Sequence, residues 1–134
     1  NEKEVSSLYK HPKVKGLISL THGEGFGLPL LEAAACGLPV CATNWSAHTE
    51  FLNLGDWTKV RGRIEPIPER KIDRRVWVEG SSWAVPDHNE VRKTLQTFVL
   101  NDKSDTSKLK KNILATYSFV KIASLYDKFW RRWS

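Results

Sequence analysis

Two glutamates, Glu24 and Glu32, flank a glycine-rich turn that is followed by a helical pattern. The first amide groups of a helix have no partner within the helix and lie at the positive end of its dipole. Phe26, Gly27 and Leu28 would present such amides, and glycine carries no Cβ that would hold a ligand away. The turn therefore predicts a seat for a phosphate or diphosphate. Because carboxylates repel that group, we interpret the two glutamates as acceptors for sugar hydroxyls on either side of it.

The elements around this turn follow a strand, turn, helix, glycine, strand order. The apolar run from Val14 to Leu20 predicts a strand, and the helical pattern begins at Leu28 with Pro29 in its first turn, where a missing N–H costs nothing. Gly37 predicts the left-handed residue that commonly ends a helix, and the apolar run 38–43 predicts a second strand. Two strands joined by a helix form a crossover unit, and such units build parallel sheets.

The segment Glu24–Ala33, followed by Ala35–Val40, resembles the signature of the retaining nucleotide-sugar glycosyltransferases of the two-lobed GT-B fold, the group 1 family. The hallmark of that family is a pair of glutamates separated by seven residues, which Glu24 and Glu32 match. The resemblance implies that Glu24 contacts the hydroxyls of the donor sugar as the catalytic-site carboxylate and that Glu32 binds the ribose of the nucleotide. It also implies a set of contacts to the sugar and diphosphate: Glu24, Gly25, Phe26, Gly27 and Leu28.

This resemblance implies an α/β fold with a Rossmann-like parallel sheet flanked by helices, forming part of the C-terminal, donor-binding lobe. The implied activity is hexosyltransferase-like: a sugar leaves a UDP- or GDP-sugar for an unknown glycan, lipid or protein acceptor, with retention and without a metal or other cofactor. One alternative is a related module that binds a nucleotide or sugar without chemistry. A basic nucleic-acid-binding domain ranks last because the sequence shows no such motif, and no nucleic acid is expected as a partner.

A chain of 134 residues is long enough for one domain with a core, so we expect a single domain over 1–134 with a helical C-terminal segment over 105–134. The chain contains no methionine, which is expected of a fragment. By resemblance, the N-terminal lobe and an upstream Arg and Lys that face the diphosphate would be missing. We therefore expect the isolated chain to be inactive or nearly so.

The loop after the second strand holds the candidate donor contacts Trp45 and Ser46. Related transferases usually place two glycines near this point, whereas this chain has Ser46 and Ala47 and so departs from the common form of the loop. Trp45 is suited either to stacking on a base or sugar or, with His48, to packing the loop. Ser46 is the predicted cap of a short helix that extends through Leu52.

The segment from Gly55 to Gly80 is strongly basic and irregular in pattern. Its apolar residues suggest short strands: Trp57, Val60, Ile64, Ile67, Val76 and Val78. A solvated, variable loop is favoured over a phosphate or nucleic-acid patch. After it, 83–87 resembles the last short strand of the donor lobe, and Asp87 is the predicted cap of the next helix.

The remaining expectations concern surroundings and partners. The net charge is +6, which suits an anionic donor, nucleic acid or a membrane surface alike. Cys36 and Cys41 are expected to be reduced and buried, in a cytoplasmic setting. A break over 101–104 precedes the final helices, and Ser118 is expected to cap the last of them, which has aromatic and basic residues at helical spacing. That helix is expected to pack against the other lobe, with peripheral membrane contact as the alternative.

Overall fold

A computed structural model describes residues 2–100 and 105–133, with side chains over 4–99 and 105–133. The helices are α1 (Glu2–Tyr9), α2 (Leu28–Cys36), α3 (His48–Leu52), α4 (His88–Leu100), α5 (Ser107–Tyr117) and α6 (Phe119–Arg131). The strands are β1 (Leu17–Ser19), β2 (Val40–Thr43), β3 (Thr58–Val60), β4 (Gly62–Pro66) and β5 (Ser82–Pro86), with a short 3-10 helix at Glu69–Lys71. The predicted break over 101–104 lies outside the described residues.

The first three strands form a parallel sheet in the order β1-β2-β3, as the crossover pattern predicts. β2 is the central strand of the three, and all four of its residues are buried. The register pairs Ile18 with Cys41 and Cys41 with Thr58. Because α2 joins β1 to β2 and α3 joins β2 to β3, the carboxyl ends of the strands lie at one edge. The predicted fold class, an α/β parallel sheet flanked by helices, is confirmed.

Local signals set the bounds of α2 as the sequence predicts. Pro29 lies in its first turn, and Gly37 adopts φ +84° and donates its N–H to the carbonyls of Ala33 and Ala34 at the helix end. The apolar face of α2 packs against α5, where Leu30, Ala33 and Ala34 join the main buried cluster, to which Leu109 and Ile113 also belong. A fully buried Leu or Ile contributes about 1.5–3 kcal/mol, so this contact stabilises the packing of α2 against α5.

The second sheet differs from the prediction. β5 pairs antiparallel with β4, with Arg63 opposite Val85, rather than extending the parallel sheet as its last strand. A single residue, Arg61, separates β3 from β4, and β4 belongs to the two-stranded sheet with β5 rather than to the parallel sheet. The strands predicted at Val76 and Val78 are also wrong, because both residues lie in an irregular loop.

The predicted caps of α4 and α6 are confirmed, whereas the predicted burial of the two cysteines is confirmed for only one of them. Asp87 caps α4 by accepting hydrogen bonds from the amides of Asn89 and Glu90 at 2.9 Å, and the hydroxyl of Ser118 accepts one from Lys121 at the start of α6, both as predicted. Cys41 is buried, but Cys36 is only half-buried, which corrects the expectation that both are buried. Both cysteines are free.

The face of α6 that carries the aromatic residues is exposed in this structure. Its exposed apolar side chains are Phe119, Val120, Leu125, Tyr126, Phe129 and Trp130, with Trp133 just after the helix. The expected cover by another lobe or a membrane surface stays a prediction. Within the described ranges, no helix combines the length and the apolar character needed to cross a bilayer.

Candidate functional site

The candidate site lies at the carboxyl edge of the parallel sheet, where β1 and β2 end. Two loops leave the sheet there: the β1–α2 loop carries the glycine-rich turn 23–27, and the β2–α3 loop carries Trp45 and Ser46. Ligands of open α/β sheets bind outside the carboxyl ends of the strands. The loops that the sequence singles out are therefore positioned at the edge where a ligand is expected.

The start of α2 is shaped by Gly27, which adopts φ +87°. A Cβ added there would lie 3.0 Å from the Cβ of His48, so the position has neither the backbone conformation nor the space for a larger residue. The amides of Leu30 and Leu31 both donate to the Gly27 carbonyl, at 3.0 and 3.1 Å. Among the described residues, the amides of 25–28 donate no hydrogen bond to a protein group. The helix start thus offers unpaired donors at its positive end.

Glu24 is held through its backbone by Ser46. The Ser46 hydroxyl donates to the Glu24 carbonyl at 2.7 Å and accepts from the Glu24 amide at 3.0 Å. Ser46 adopts φ +84°, a conformation that glycine adopts more readily than serine. The predicted role of Ser46 as a helix cap is wrong, because its hydroxyl is engaged by Glu24 and Ala47 occupies the cap position without a side-chain hydrogen bond.

A cleft of about 310 Å³, which we call the Trp77 cleft, opens beside Glu24. Glu24, Gly25, Trp45 and Ser46 line it from the two loops, and Trp77 and Trp83 are among the residues that line it from the 76–83 segment. The ring of Trp83 stacks on that of His22 at 4.3 Å between centroids, and Trp77 meets Trp83 edge-on at 5.6 Å. An acidic side chain and three indoles therefore share one small cleft.

His22 ties the turn to β5. Its Nδ1 lies 2.6 Å from the Ala84 carbonyl, and since a carbonyl only accepts, Nδ1 carries the hydrogen. The Ala84 amide in turn donates to the His22 carbonyl at 3.0 Å. This reciprocal pair fixes the second sheet against the carboxyl end of β1. The wall formed by Trp83 consequently has a defined position relative to Glu24.

Glu32 lines a different cleft, which we call the Glu32 cleft, of about 410 Å³ between α1 and α2. Tyr9 and Cys36 also line it. Burial raises the pKa of the Tyr9 phenol, and the nearby Glu32 and Cys36 raise it further. Glu32 is exposed and lines this cleft together with Tyr9 of α1. The cleft thus combines a free acceptor with an apolar wall.

The structure therefore brings some of the predicted site residues together and separates others. Glu24, Gly25, Trp45 and Ser46 share the Trp77 cleft, whereas Glu32 does not line it. A single ligand that touches both glutamates would have to extend past the first turn of α2, a rise of about 6 Å from position 28 to 32. The predicted roles of the two glutamates stay predictions.

Phe26 and Leu28 lie outside both clefts. The ring of Phe26 packs near those of Phe51 and Tyr117, at 5.5 and 6.1 Å between centroids, and is 41% exposed. Leu28 is 57% exposed at the start of α2. Neither side chain lines a cleft, which favours a role of these two residues through their backbone amides.

His48 is a buried support that the sequence left undecided. Its Nε2 donates to the Thr43 carbonyl at 2.7 Å, which holds the carboxyl end of β2. Its Nδ1 and the Thr43 hydroxyl are buried, and neither has a hydrogen-bond partner among the described residues. Trp45, by contrast, is 40% exposed and lines the Trp77 cleft, so Trp45 and His48 have different roles.

Sequence reasoning missed His22, Trp77 and Trp83 as residues of the site. His22 directly precedes the glycine-rich turn, and that adjacency was a usable signal. Trp77 is held by a turn around Asp73, whose Oδ1 accepts from the amides of Arg75, Val76 and Trp77 at 2.9 Å each. An aspartate side chain that accepts hydrogen bonds from the amides following it marks a turn. The interpretation of this segment relied on its basic residues and did not use that signal.

The described residues contain no group of three or more His, Cys, Asp or Glu side chains placed to hold a metal ion. The expectation of a metal-independent reaction is not tested by that observation and stays a prediction.

A parallel sheet with helices on its faces and an open helix start at its carboxyl edge defines a Rossmann-like α/β domain. A family model described as "Glycosyl transferases group 1" matches residues 1–68, more than half of the chain, and the chain belongs to this family. The glycine-rich turn and both glutamates of this chain lie within the matched residues, whereas Trp77 and Trp83 lie beyond them.

Over 74 residues the chain is 41% identical to a protein of Thermosipho melanesiensis named "Probable sucrose-phosphate synthase". This match covers 54% of the chain and 18% of the relative. The chain thus corresponds to less than a fifth of that protein's length.

Proposed function

We propose that this chain binds the nucleotide-sugar donor of a retaining glycosyltransferase. The observation that carries the proposal is the start of α2: left-handed Gly27, unpaired amides over 25–28 and the Glu24 carboxylate all lie at the carboxyl edge of the sheet. Family membership supports glycosyl transfer as the chemistry. The relative's name concerns sucrose phosphate, but the short coverage leaves the sugar and acceptor of this chain open.

In this proposal the diphosphate sits on the amides at the start of α2. Negative charge grows on the diphosphate as the bond to the sugar breaks, and fixed donors aimed at that charge stabilise the transition state without having to reorient. The helix dipole acts in the same direction. Leaving-group stabilisation of this kind comes from the protein and is consistent with the proposed metal-independent reaction.

The two clefts then receive the two ends of the donor. Glu24 accepts hydrogen bonds from the sugar hydroxyls in the Trp77 cleft, and Glu32 accepts them from the ribose in the Glu32 cleft. A carboxylate accepts through both oxygens and donates nothing, so it suits vicinal hydroxyls. The retaining stereochemistry comes from the family resemblance alone. We expect the chain by itself to bind donor without measurable transfer.

The proposal is tested by titrating the labelled chain with UDP, GDP and ADP and following backbone amide chemical shifts. Saturable shifts centred on Gly25, Gly27 and Glu32 are expected for at least one nucleotide. The variant expected to impair binding is Gly27→Ala, which places a Cβ against His48 in an unfavourable backbone conformation. It should weaken binding and destabilise the fold by about 1–2 kcal/mol. Absence of saturable shifts with all three nucleotides would overturn the proposal.

A further inference from the structure

The Trp77 cleft has a wall that neither the family match nor the glutamate signature accounts for. Val76, Trp77, Ser82 and Trp83 line it, and all four lie beyond residue 68, where the family match ends. The sequence indicated a solvated, variable loop in this region. The structure instead places Trp77 half-buried against Trp83, in the wall of the cleft that Glu24 also lines.

The loop that carries this wall is internally fixed. Asp73 gathers three successive amides onto one carboxylate oxygen, and Arg74, at φ +58°, donates its N–H to the Trp77 carbonyl at 3.0 Å. The base of the loop is closed by the Ile67 amide, which donates to the Ser81 carbonyl at 3.0 Å. A side chain held by such a loop loses little freedom on contact with a ligand, which favours binding.

The chemistry of the cleft fits a sugar ring. A pyranose has faces of C–H groups, which pack on indole, and a rim of hydroxyls, which a carboxylate accepts. Small-molecule sites commonly combine apolar and aromatic walls with a few polar groups that set orientation. At about 310 Å³ the Trp77 cleft is smaller than the Glu32 cleft of about 410 Å³, which leaves the larger space for a nucleoside.

We propose that Trp77, with Val76, forms a specificity-determining wall on which a pyranose ring packs while Glu24 binds its hydroxyls. This inference rests on the proposed function, because the ring is placed next to the diphosphate seat at Gly25. The ring belongs either to the donor or to a sugar acceptor, and the two sources share the same chemistry. Trp45 contributes to the cleft from the β2–α3 loop.

The test compares Trp77→Ala and Trp77→Phe with the control Trp133→Ala, which removes an exposed indole that does not line the cleft. Calorimetry is run with UDP and GDP, with UDP-glucose and GDP-mannose, and with methyl α-glucoside both alone and in the presence of a saturating nucleotide sugar. For Trp77→Ala we expect about tenfold weaker binding of the nucleotide sugars and unchanged binding of the free nucleotides. The affinity of Trp77→Phe for the nucleotide sugars should lie between those of the parent chain and Trp77→Ala, and the affinity of Trp133→Ala should equal that of the parent chain.

If instead methyl α-glucoside binds in the presence of a saturating nucleotide sugar, which already fills the donor position, and Trp77→Ala weakens that binding, the ring is that of an acceptor and the inference stands. Equal losses for nucleotides and nucleotide sugars would mean that the cleft holds the base, and the inference would be wrong. It would also be wrong if no sugar-containing ligand responded to Trp77→Ala. Trp45→Ala, on an exposed loop residue, repeats the comparison should Trp77→Ala unfold the chain, as judged by its thermal transition.

Failure of the proposed function gives a different result. In that case the parent chain binds neither UDP nor GDP, so no nucleotide arm responds to any variant. The glucoside arm then decides the inference alone: a response to Trp77→Ala supports a sugar site, and no response contradicts it.

Discussion

Ser46 engages both backbone polar groups of Glu24 through one hydroxyl, at 2.7 Å to the carbonyl and 3.0 Å to the amide. This contact joins the β1–α2 loop to the β2–α3 loop at the carboxyl edge of the sheet. The strained φ of Ser46, +84°, is maintained at the same point. Backbone strain of this kind concentrates at functional sites, where the surrounding structure fixes it. We therefore regard Ser46 as the residue that positions Glu24.

Replacing Ser46 should separate the contribution of its hydrogen bonds to Glu24 from the cost of its strained backbone. Ser46→Ala keeps the unfavourable φ and leaves the Glu24 amide and carbonyl without their partner, so we expect a loss of about 1–3 kcal/mol in the free energy of unfolding. Ser46→Gly loses the same bonds but relaxes the backbone, and should cost less. Urea unfolding of the three chains measures the difference. Equal stability of the alanine variant and the parent would contradict the positioning role.

The two cysteines should differ in reactivity. Burial raises the pKa of the Cys41 thiol to about 11, whereas Cys36 is half-buried and lines the Glu32 cleft. Since the thiolate is the reactive form, iodoacetamide at pH 8 should modify Cys36 and leave Cys41 unmodified until the chain is unfolded. Peptide mass spectrometry assigns the site. Modification of both thiols at the same rate in the folded chain would be the opposite result.

The same reagent reports on the Glu32 cleft. A nucleoside that occupies this cleft would cover Cys36, so saturating UDP or GDP should slow its alkylation. The Cys36→Ser variant, read by the nucleotide titration alone, is the control for any effect of the thiol itself. Binding of the nucleotide without protection of Cys36 would place the nucleoside elsewhere.

Asp73 should make the Trp77 loop sensitive to acid. The amides of Trp77, Arg75 and Val76, in that order of effect, lower the pKa of its carboxyl. A group whose pKa is lowered by folding stabilises the folded form above its unfolded value, about 3.9, and loses that contribution as the pH falls through the folded value. The indole signal of Trp77 should therefore be constant from pH 7 to about 5 and shift below about 3.9.

Asp73→Asn supplies the matched control, because an amide oxygen still accepts hydrogen bonds but does not titrate in this range. The variant should show no such shift of the Trp77 signal at low pH. An identical acid response in both chains would show that Asp73 does not control the loop.

The local part of this structure follows from the sequence. Pro29 and Gly37 mark the ends of α2, and the two apolar runs predict the parallel pair, because each signal acts within a few residues. The pairing of β4 with β5 joins residues about twenty positions apart, and no local pattern specifies it. The role of Ser46 was missed for the same reason, since its partner Glu24 lies in another loop. The Glu32 cleft is formed by the packing of α1 against α2, which no local pattern specifies either.

The most direct test of donor binding across the start of α2 is calorimetry on Glu24→Ala, Glu32→Ala and the control Glu79→Ala, an exposed residue that lines neither cleft. Each loss of a charged acceptor should cost about 1–3 kcal/mol. We predict that Glu32→Ala weakens the binding of UDP or GDP and the binding of their sugar conjugates to the same extent. Glu24→Ala should weaken the binding of the sugar conjugates only. Glu79→Ala should leave the binding of both kinds of ligand unchanged. Unchanged nucleotide affinity in Glu32→Ala would contradict the account.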